Sequence, residues 1–176
     1  MSLLGRVADY LALRRVPFAA VGGVALAVRG VARSTFDVDL LCLDLSVVTE
    51  AFWVVVSRDG TVVDVRRGDG DDPLRGIVRL ASRDERCVDV VVGRGAWLEG
   101  VLARAEPFSF LDTRVPVARA SDLILLKLHA GGTQDLWDAK QLLAGDRDGS
   151  LADEVDARLE EVPRGAAINW RKVRET

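Results

Sequence analysis

Val21-Gly22-Gly23-Val24-Ala25-Leu26 leads through Gly30, Arg33 and Thr35 into Phe36-Asp37-Val38-Asp39-Leu40, a glycine turn followed by paired aspartates. Phe18 to Val21 reads as a short buried strand. Gly22-Gly23 turns the chain into a helix over Val24 to Arg29, and Gly30 closes that helix. A strand from Phe36 to Leu43 follows. Successive strand side chains leave opposite faces, so Asp37 and Asp39 share one face while Val38 and Leu40 enter the other. Two carboxylates held side by side repel unless a cation lies between them. Paired hard cations serve in-line phosphoryl and nucleotidyl transfer, and magnesium is the natural occupant. A third carboxylate, Asp89, stands in the apolar run Cys87-Val88-Asp89-Val90-Val91-Val92, where a lone charge needs a reason. The competing reading is an alternating strand with a solvated outer face and a strand-edge Asp89. The order of parts favours the metal reading. Gly22-Gly23 offers backbone N–H groups to phosphate oxygens ahead of the Asp-x-Asp strand, at one end of adjacent antiparallel strands.

Composition bounds the rest. The 176 residues carry 24 Lys+Arg against 27 Asp+Glu, a formal charge of -3, which excludes a tail-type polyanion binder. With 49% hydrophobic and 29% charged residues, most of the chain is expected to be ordered. The longest uncharged stretch, Val16 to Val28, is too short and too rich in glycine to span a membrane, so no membrane association is expected. Arg6, Asp9, Arg14 and Arg15 interrupt what a secretory signal would need to keep apolar. Cys42 and Cys87 define neither a disulfide framework nor a metal cluster and fit a cytoplasmic location.

Leu3, Leu4, Val7 and Leu11 recur at helical spacing, so residues 2–15 read as an amphipathic helix stopped by Pro17. Leu45 to Val56 suits a buried helix but is rich in valine and aromatics. Strands are expected at Thr61–Arg66, Ile77–Ala81 and Cys87–Val92, the last two forming a hairpin around Arg83–Arg86. A helix to Ala105, a β-rich piece around Phe108–Val117, and helices starting near Ser121, Thr133 and Ser150 complete the map. The tail from Pro163 reads either as a frayed terminus with Trp170 docked on the core or as a basic segment that grips RNA and stacks a base on Trp170.

The quoted stretch resembles the first motif of the DNA polymerase β-like nucleotidyltransferase superfamily. A second segment is similar to the AbiEii-type branch, some of whose members are toxins of toxin-antitoxin pairs. It comprises Ala120-Ser121-Asp122-Leu123-Ile124-Leu125-Leu126-Lys127-Leu128-His129-Ala130-Gly131, then Gln134-Asp135-Leu136-Trp137-Asp138. The resemblance implies Asp37, Asp39 and Asp89 as ligands of two magnesium ions and as the catalytic residues. It implies Gly22 and Gly23 as the phosphate-binding turn and Lys127 as a contact to nucleotide phosphates. The superfamily often has Gly-Ser where this chain has Gly22-Gly23, and here only about 60 residues follow the core. Arg33 and Thr35 precede the carboxylate strand, where Arg33 either clamps a phosphate or forms a surface salt bridge. Asp135 either pairs with Lys127, orients substrate, or caps the helix after Thr133. His129, two residues beyond Lys127, is expected on a different side of its helix and structural.

The expected architecture is α/β (α+β): a nucleotidyltransferase core with a mixed, mostly antiparallel sheet, helices packed on it, and a short C-terminal helical extension. One domain is expected over 1–176, with the core at 1–118 and the extension at 119–176. The expected activity is magnesium-dependent transfer of a nucleoside monophosphate from a nucleoside triphosphate to a hydroxyl acceptor. By resemblance that acceptor is RNA, such as a tRNA 3′ end, and the protein partner an antitoxin. The alternative is a catalytically silent module of the same fold that binds nucleotide or a partner protein. Lys127→Ala is expected to weaken nucleotide binding more than folding.

Overall fold

The Ser2 hydroxyl accepts from the Gly5 N–H at 3.3 Å and starts α1 (Leu3–Leu13), whose Leu3, Leu4, Val7 and Leu11 are buried. The helix ends before Pro17, and Arg15 turns the chain with a left-handed φ of 57°. The computed structural model describes residues 1–33, 37–70, 72–110, 113–163 and 165–175. After α1 come β1 (Phe18–Val21), α2 (Gly22–Val28), β2 (Val38–Cys42), a 3-10 turn at Leu45–Val47 and α3 (Glu50–Ser57). They are followed by β3 (Val62–Arg67), β4 (Leu74–Ala81), β5 (Val88–Gly93), α4 (Trp97–Arg104), β6 (Glu106–Phe110) and β7 (Thr113–Val117). The C-terminal part is α5 (Ala120–Ala130), α6 (Thr133–Ala144), α7 (Ser150–Asp156) and α8 (Gly165–Arg174).

The strands form one sheet in the order β3-β4-β5-β2-β1-β7-β6. Pairs β1–β2, β3–β4, β4–β5 and β6–β7 are antiparallel, whereas β2–β5 and β1–β7 are parallel, so the sheet is mixed and mostly antiparallel as expected. Val38, Leu40 and Cys42 on β2 and Val88, Val90 and Val92 on β5 form a sealed apolar face at the sheet's centre. The opposite face carries Asp39, Leu41 and Asp89. Helical segments press on both faces. A Cβ at Gly76 would meet Val48 Cγ1 at 2.6 Å, and one at Gly93 would meet Leu98 Cδ1 of α4 at 2.4 Å, so both positions need glycine for close approach.

The valine-rich run from Leu45 resolves into the 3-10 turn and α3. Phe52, Trp53 and Val56 recur at helical spacing and are buried, and Trp53 Nε1 donates to the Val47 carbonyl at 2.8 Å. Packing of this face, including the edge-on contact of Phe52 with Tyr10 at 5.3 Å, overrides the β preference of its valines. The β-rich piece is a hairpin, β6 against β7, with Pro107 tolerated because β6 lies at the sheet edge. Two boundaries differ from expectation near the quoted stretch. The first α2 residue is Gly22, not Val24, and β2 begins at Val38. Phe36 and Thr35 lie outside the described residues.

Helix α5 packs against α6, α7 and α8. The tail forms helix α8, in which Trp170 is 3% exposed and donates from Nε1 to Asp156 Oδ1 at 2.6 Å. It is docked on the core and has no free face on which a base could stack, which corrects the RNA-stacking reading of this segment. The Asn169 side chain donates to the Leu128 carbonyl at 2.9 Å and ties the tail to α5.

Candidate active site

Register alone assembles the centre. Val21 faces Asp39 across β1–β2, Asp39 faces Asp89 across β2–β5, Asp89 faces Arg79 across β5–β4, and Arg79 faces Asp64 across β4–β3. One transverse row on one sheet face thus reads Asp64, Arg79, Asp89, Asp39, Val21. Asp37, two residues before Asp39, projects to the same side. The Arg79 guanidinium bridges the carboxylates: Nη2 binds Asp37 Oδ2, and Nε lies 3.2 Å from Asp89 Oδ1. The sequence-predicted triad therefore does gather on one face, with Arg79 as a member that the sequence reading missed.

Asp39 lies deepest. Its carboxyl is pushed up to about 6, first by burial, then by the charges of Asp89 and Asp37, against the lowering pull of Lys127 and the Gly23 N–H. Burial also raises Asp89; Arg79 opposes this, and the Asp37 charge adds to it. The turn before α2 is shaped around Asp39. Gly22 has φ +63°, and a Cβ there would stand 2.0 Å from Asp39 Oδ2. The Gly23 N–H, assigned by the sequence reading to phosphate, donates here to the Asp39 carboxylate.

A second group forms on the helical side. Lys127 Nζ lies 2.8 Å from Asp135 Oδ1 and 2.9 Å from Asp138 Oδ2. Arg33 Nη1 reaches the other oxygen of the fully buried Asp138 at 3.0 Å. Burial alone would lower the Lys127 pKa, yet the two carboxylates hold it above the ordinary lysine value. Lys127 thus has an ion-pair role, the pairing with Asp135 anticipated from the sequence is present, and the partly exposed Arg33 forms a salt bridge whose partner is buried. Asp138 was quoted in the motif but given no role. Its spacing of three from Asp135, on the same helix face, was the available signal.

Between these groups runs a cavity of about 350 Å³ lined by Val21, Gly22, Leu41, Leu126, Lys127 and Asp135, among others. His129 lines it as well, edge-on to Trp97 at 5.5 Å, with burial lowering its pKa. That corrects the expectation that His129 turns away from Lys127: the cavity wraps the C-terminal end of α5 and touches both. Among the described residues, no three His, Cys, Asp or Glu side chains converge closely enough to form a ready-made metal site, and no helix is long and apolar enough to cross a membrane. The donor set nevertheless suits a hard cation. It is all carboxylate oxygen, the charges of Asp37 and Asp89 raise the Asp39 pKa and that of Asp37 raises Asp89, and the buried Asp89 Oδ1 makes no hydrogen bond among the described residues beyond its ion-pair contact with Arg79.

No family model matches the chain, and no curated protein matches it. Solved structures do. The solution structure of the antibiotic-resistance factor ANT(2'')-Ia is 14% identical over 97% of this chain and 95% of that chain, with a TM-score of 0.55. ANT(2'')-Ia in complex with adenylyl-2''-tobramycin is 12% identical over 90% and 94%, with a TM-score of 0.52. The lincomycin-bound lincosamide antibiotic adenylyltransferase LnuA is 12% identical over 82% and 96%, with a TM-score of 0.48. At such identities the likeness is one of fold. The chain has the nucleotidyltransferase fold, a mixed α/β architecture on a seven-stranded sheet.

Proposed function

We propose that the protein is a nucleotidyltransferase that moves a nucleoside monophosphate from a nucleoside triphosphate to an acceptor hydroxyl, releasing pyrophosphate. The observation that carries this reading is the row in which Asp39 and Asp89 stand in register on adjacent parallel strands, with Asp37 beside them. Asp37, Asp39 and Asp89 would hold magnesium. When bound, two such ions neutralise the phosphates and acidify the acceptor hydroxyl. Asp89, held above the ordinary carboxylate value, takes the acceptor proton. Lys127 at the cavity wall offers its ammonium to the triphosphate, Gly22 and Gly23 let phosphate oxygens approach the backbone, and Asp135 and Arg33 hold the Lys127 region in place. Thr35 belongs to the same proposed nucleotide contact and lies outside the described residues.

The finer parts of the reading rest on the motif resemblance. They are an RNA 3′ end as acceptor, an AbiEii-type toxin role with an antitoxin partner, a cytoplasmic location, and a core at 1–118 with a helical extension. A small aminoglycoside-like hydroxyl acceptor is the competing class, because the ANT(2'')-Ia structure carries adenylyl-2''-tobramycin. Protein incubated with magnesium, α-labelled nucleoside triphosphates, and either total RNA or an aminoglycoside panel separates the two by where the label appears.

One observation favours a second reading, a silent module of this fold. Arg79 already neutralises Asp37 and Asp89, which gives clustered carboxylates a reason to persist without metal. Stabilisation by nucleotide that is unaffected by chelator supports the module. Stabilisation that requires a divalent ion and disappears in Asp39→Asn supports the enzyme.

A further inference from the structure

A second cavity, of about 600 Å³, opens beside the apolar one and is bordered by Val48, Thr49, Gly68, Arg67, Arg75 and Arg94. Neighbouring residues on β4 divide between the two: Leu74 lines the apolar cavity and Arg75 lines this one, while Arg94, immediately after β5, lines both. Three exposed guanidiniums meet here with no carboxylate in the lining. Among the described residues, none of the three takes part in an ion pair. Arg29, Arg33, Arg79, Arg104 and Arg158 each hold a carboxylate, whereas here three guanidiniums without one share a single cavity. Neither described acid of the adjoining loop, Asp69 or Asp72, forms an ion pair with these arginines. Asp72 Oδ1 accepts the Leu74 N–H at 2.9 Å, and Asp69 offers its backbone carbonyl to Arg94 Nη2 at 3.0 Å, which positions the guanidinium and leaves its charge intact.

We propose that this arginine-lined cavity binds phosphate, either of a free polyphosphate or nucleotide or of a polynucleotide backbone. Guanidinium forks match phosphate oxygens two at a time, and three like charges gathered without a counter-ion are relieved by an oxyanion. The chain's net charge of -3 supplies no general attraction, so the binding is a property of these three residues. The site is separate from the carboxylate row. Arg94 lies five residues beyond Asp89 along β5, roughly 17 Å at the usual strand rise. It holds whether or not the carboxylates catalyse transfer.

The test is fluorescence anisotropy of a labelled single-stranded oligonucleotide across a salt series without magnesium, with inorganic tripolyphosphate as competitor. The proteins compared are wild type, Arg67→Ala, Arg75→Ala, the double variant, and Arg58→Ala, which removes an exposed charge at the end of α3. Each single substitution in the cavity is expected to weaken binding about tenfold. The double variant should lower the slope of log affinity against log salt by about 1.4, or about 0.7 for each phosphate left without its arginine. Unchanged melting temperatures in these surface variants secure the comparison. Loss of both oligonucleotide and tripolyphosphate binding indicates a site for free phosphate groups; loss of oligonucleotide binding alone indicates a backbone site. Equal loss in Arg58→Ala, no loss in the double variant, or failure of the wild type to bind either probe overturns the proposal.

Discussion

Asp39→Asn tests the electrostatics of the centre without touching its shape. The rise of the Asp39 pKa from 3.8 to about 6 corresponds to about 3 kcal/mol of folding stability at about 1.36 kcal/mol per pH unit. The sign follows from the direction of the shift. The folded state binds the Asp39 proton more tightly than the unfolded state, so its contribution is full below pH 3.8 and is lost as pH rises through about 6. Above that, the ionised carboxylate opposes folding. Asparagine never ionises, and its side-chain oxygen can still accept the Gly23 N–H. The variant should therefore be more stable than wild type at pH 8 by about 2 kcal/mol, somewhat below the full figure because the group is only partly buried. For a chain of this length that is a melting temperature higher by about 4–8 °C. Calorimetric scans of both proteins from pH 3.5 to pH 8 without divalent ions would show the difference opening between about pH 4 and pH 6 and then staying flat. A variant less stable than wild type at pH 8, or a gain of equal size at pH 3.5, excludes an ionised Asp39 that opposes folding.

Three further outcomes follow from the same geometry. Arg79→Ala removes the cation shared by Asp37 and Asp89, so the melting temperature without divalent ions should fall and the increment on adding magnesium should grow; an unchanged increment counts against competition between Arg79 and metal. Lys127→Ala leaves buried Asp138 with Arg33 as its one remaining cation, beside the Gln134 amide, and should cost about 2 kcal/mol in urea unfolding. This reverses the expectation, drawn from a partly exposed lysine, that folding would be little affected. Adding Asp138→Asn should recover stability while leaving nucleotide binding weak, which separates the two roles. Gly22→Ala must adopt a left-handed φ and place a methyl against Asp39, so a loss of about 2–3 kcal/mol is expected, partly relieved by Asp39→Ala.

Strand parity made Asp37, Asp39 and Asp89 legible, because each interrupts an apolar run and a period of two settles its face. The Gly22-Gly23 turn was legible for a related reason, although the structure ties it to Asp39 through a close approach that no local pattern announces. Arg79 went unread because the register was not fixed by the sequence: counting outward from the expected turn at Arg83–Arg86 sets Leu80 opposite Asp89, whereas the pairing centres on Asp84, with its left-handed φ of 61°, and sets Arg79 there. The joint hold of Lys127 and Arg33 on Asp138 depends on how α6 packs against α5, a tertiary relation that helix periodicity does not encode. His129 was misplaced because the angle between neighbouring helix positions was taken to separate surfaces, whereas one cavity wraps the helix end. The valine-rich α3 shows the same limit, since intrinsic preference and packing point to different structures there.

If the proposed function holds, the Asp37, Asp39 and Asp89 carboxylates bind divalent cations together with a nucleoside triphosphate. Electron paramagnetic resonance of Mn²⁺ titrated into protein with a non-hydrolysable nucleoside triphosphate analogue measures this without needing the acceptor. Protein-bound Mn²⁺ is expected in the wild type beyond what the analogue alone holds, sharply reduced in Asp39→Asn and in Asp89→Asn, with folding retained in both. Equal Mn²⁺ binding in all three proteins, or analogue binding that is indifferent to metal, contradicts it.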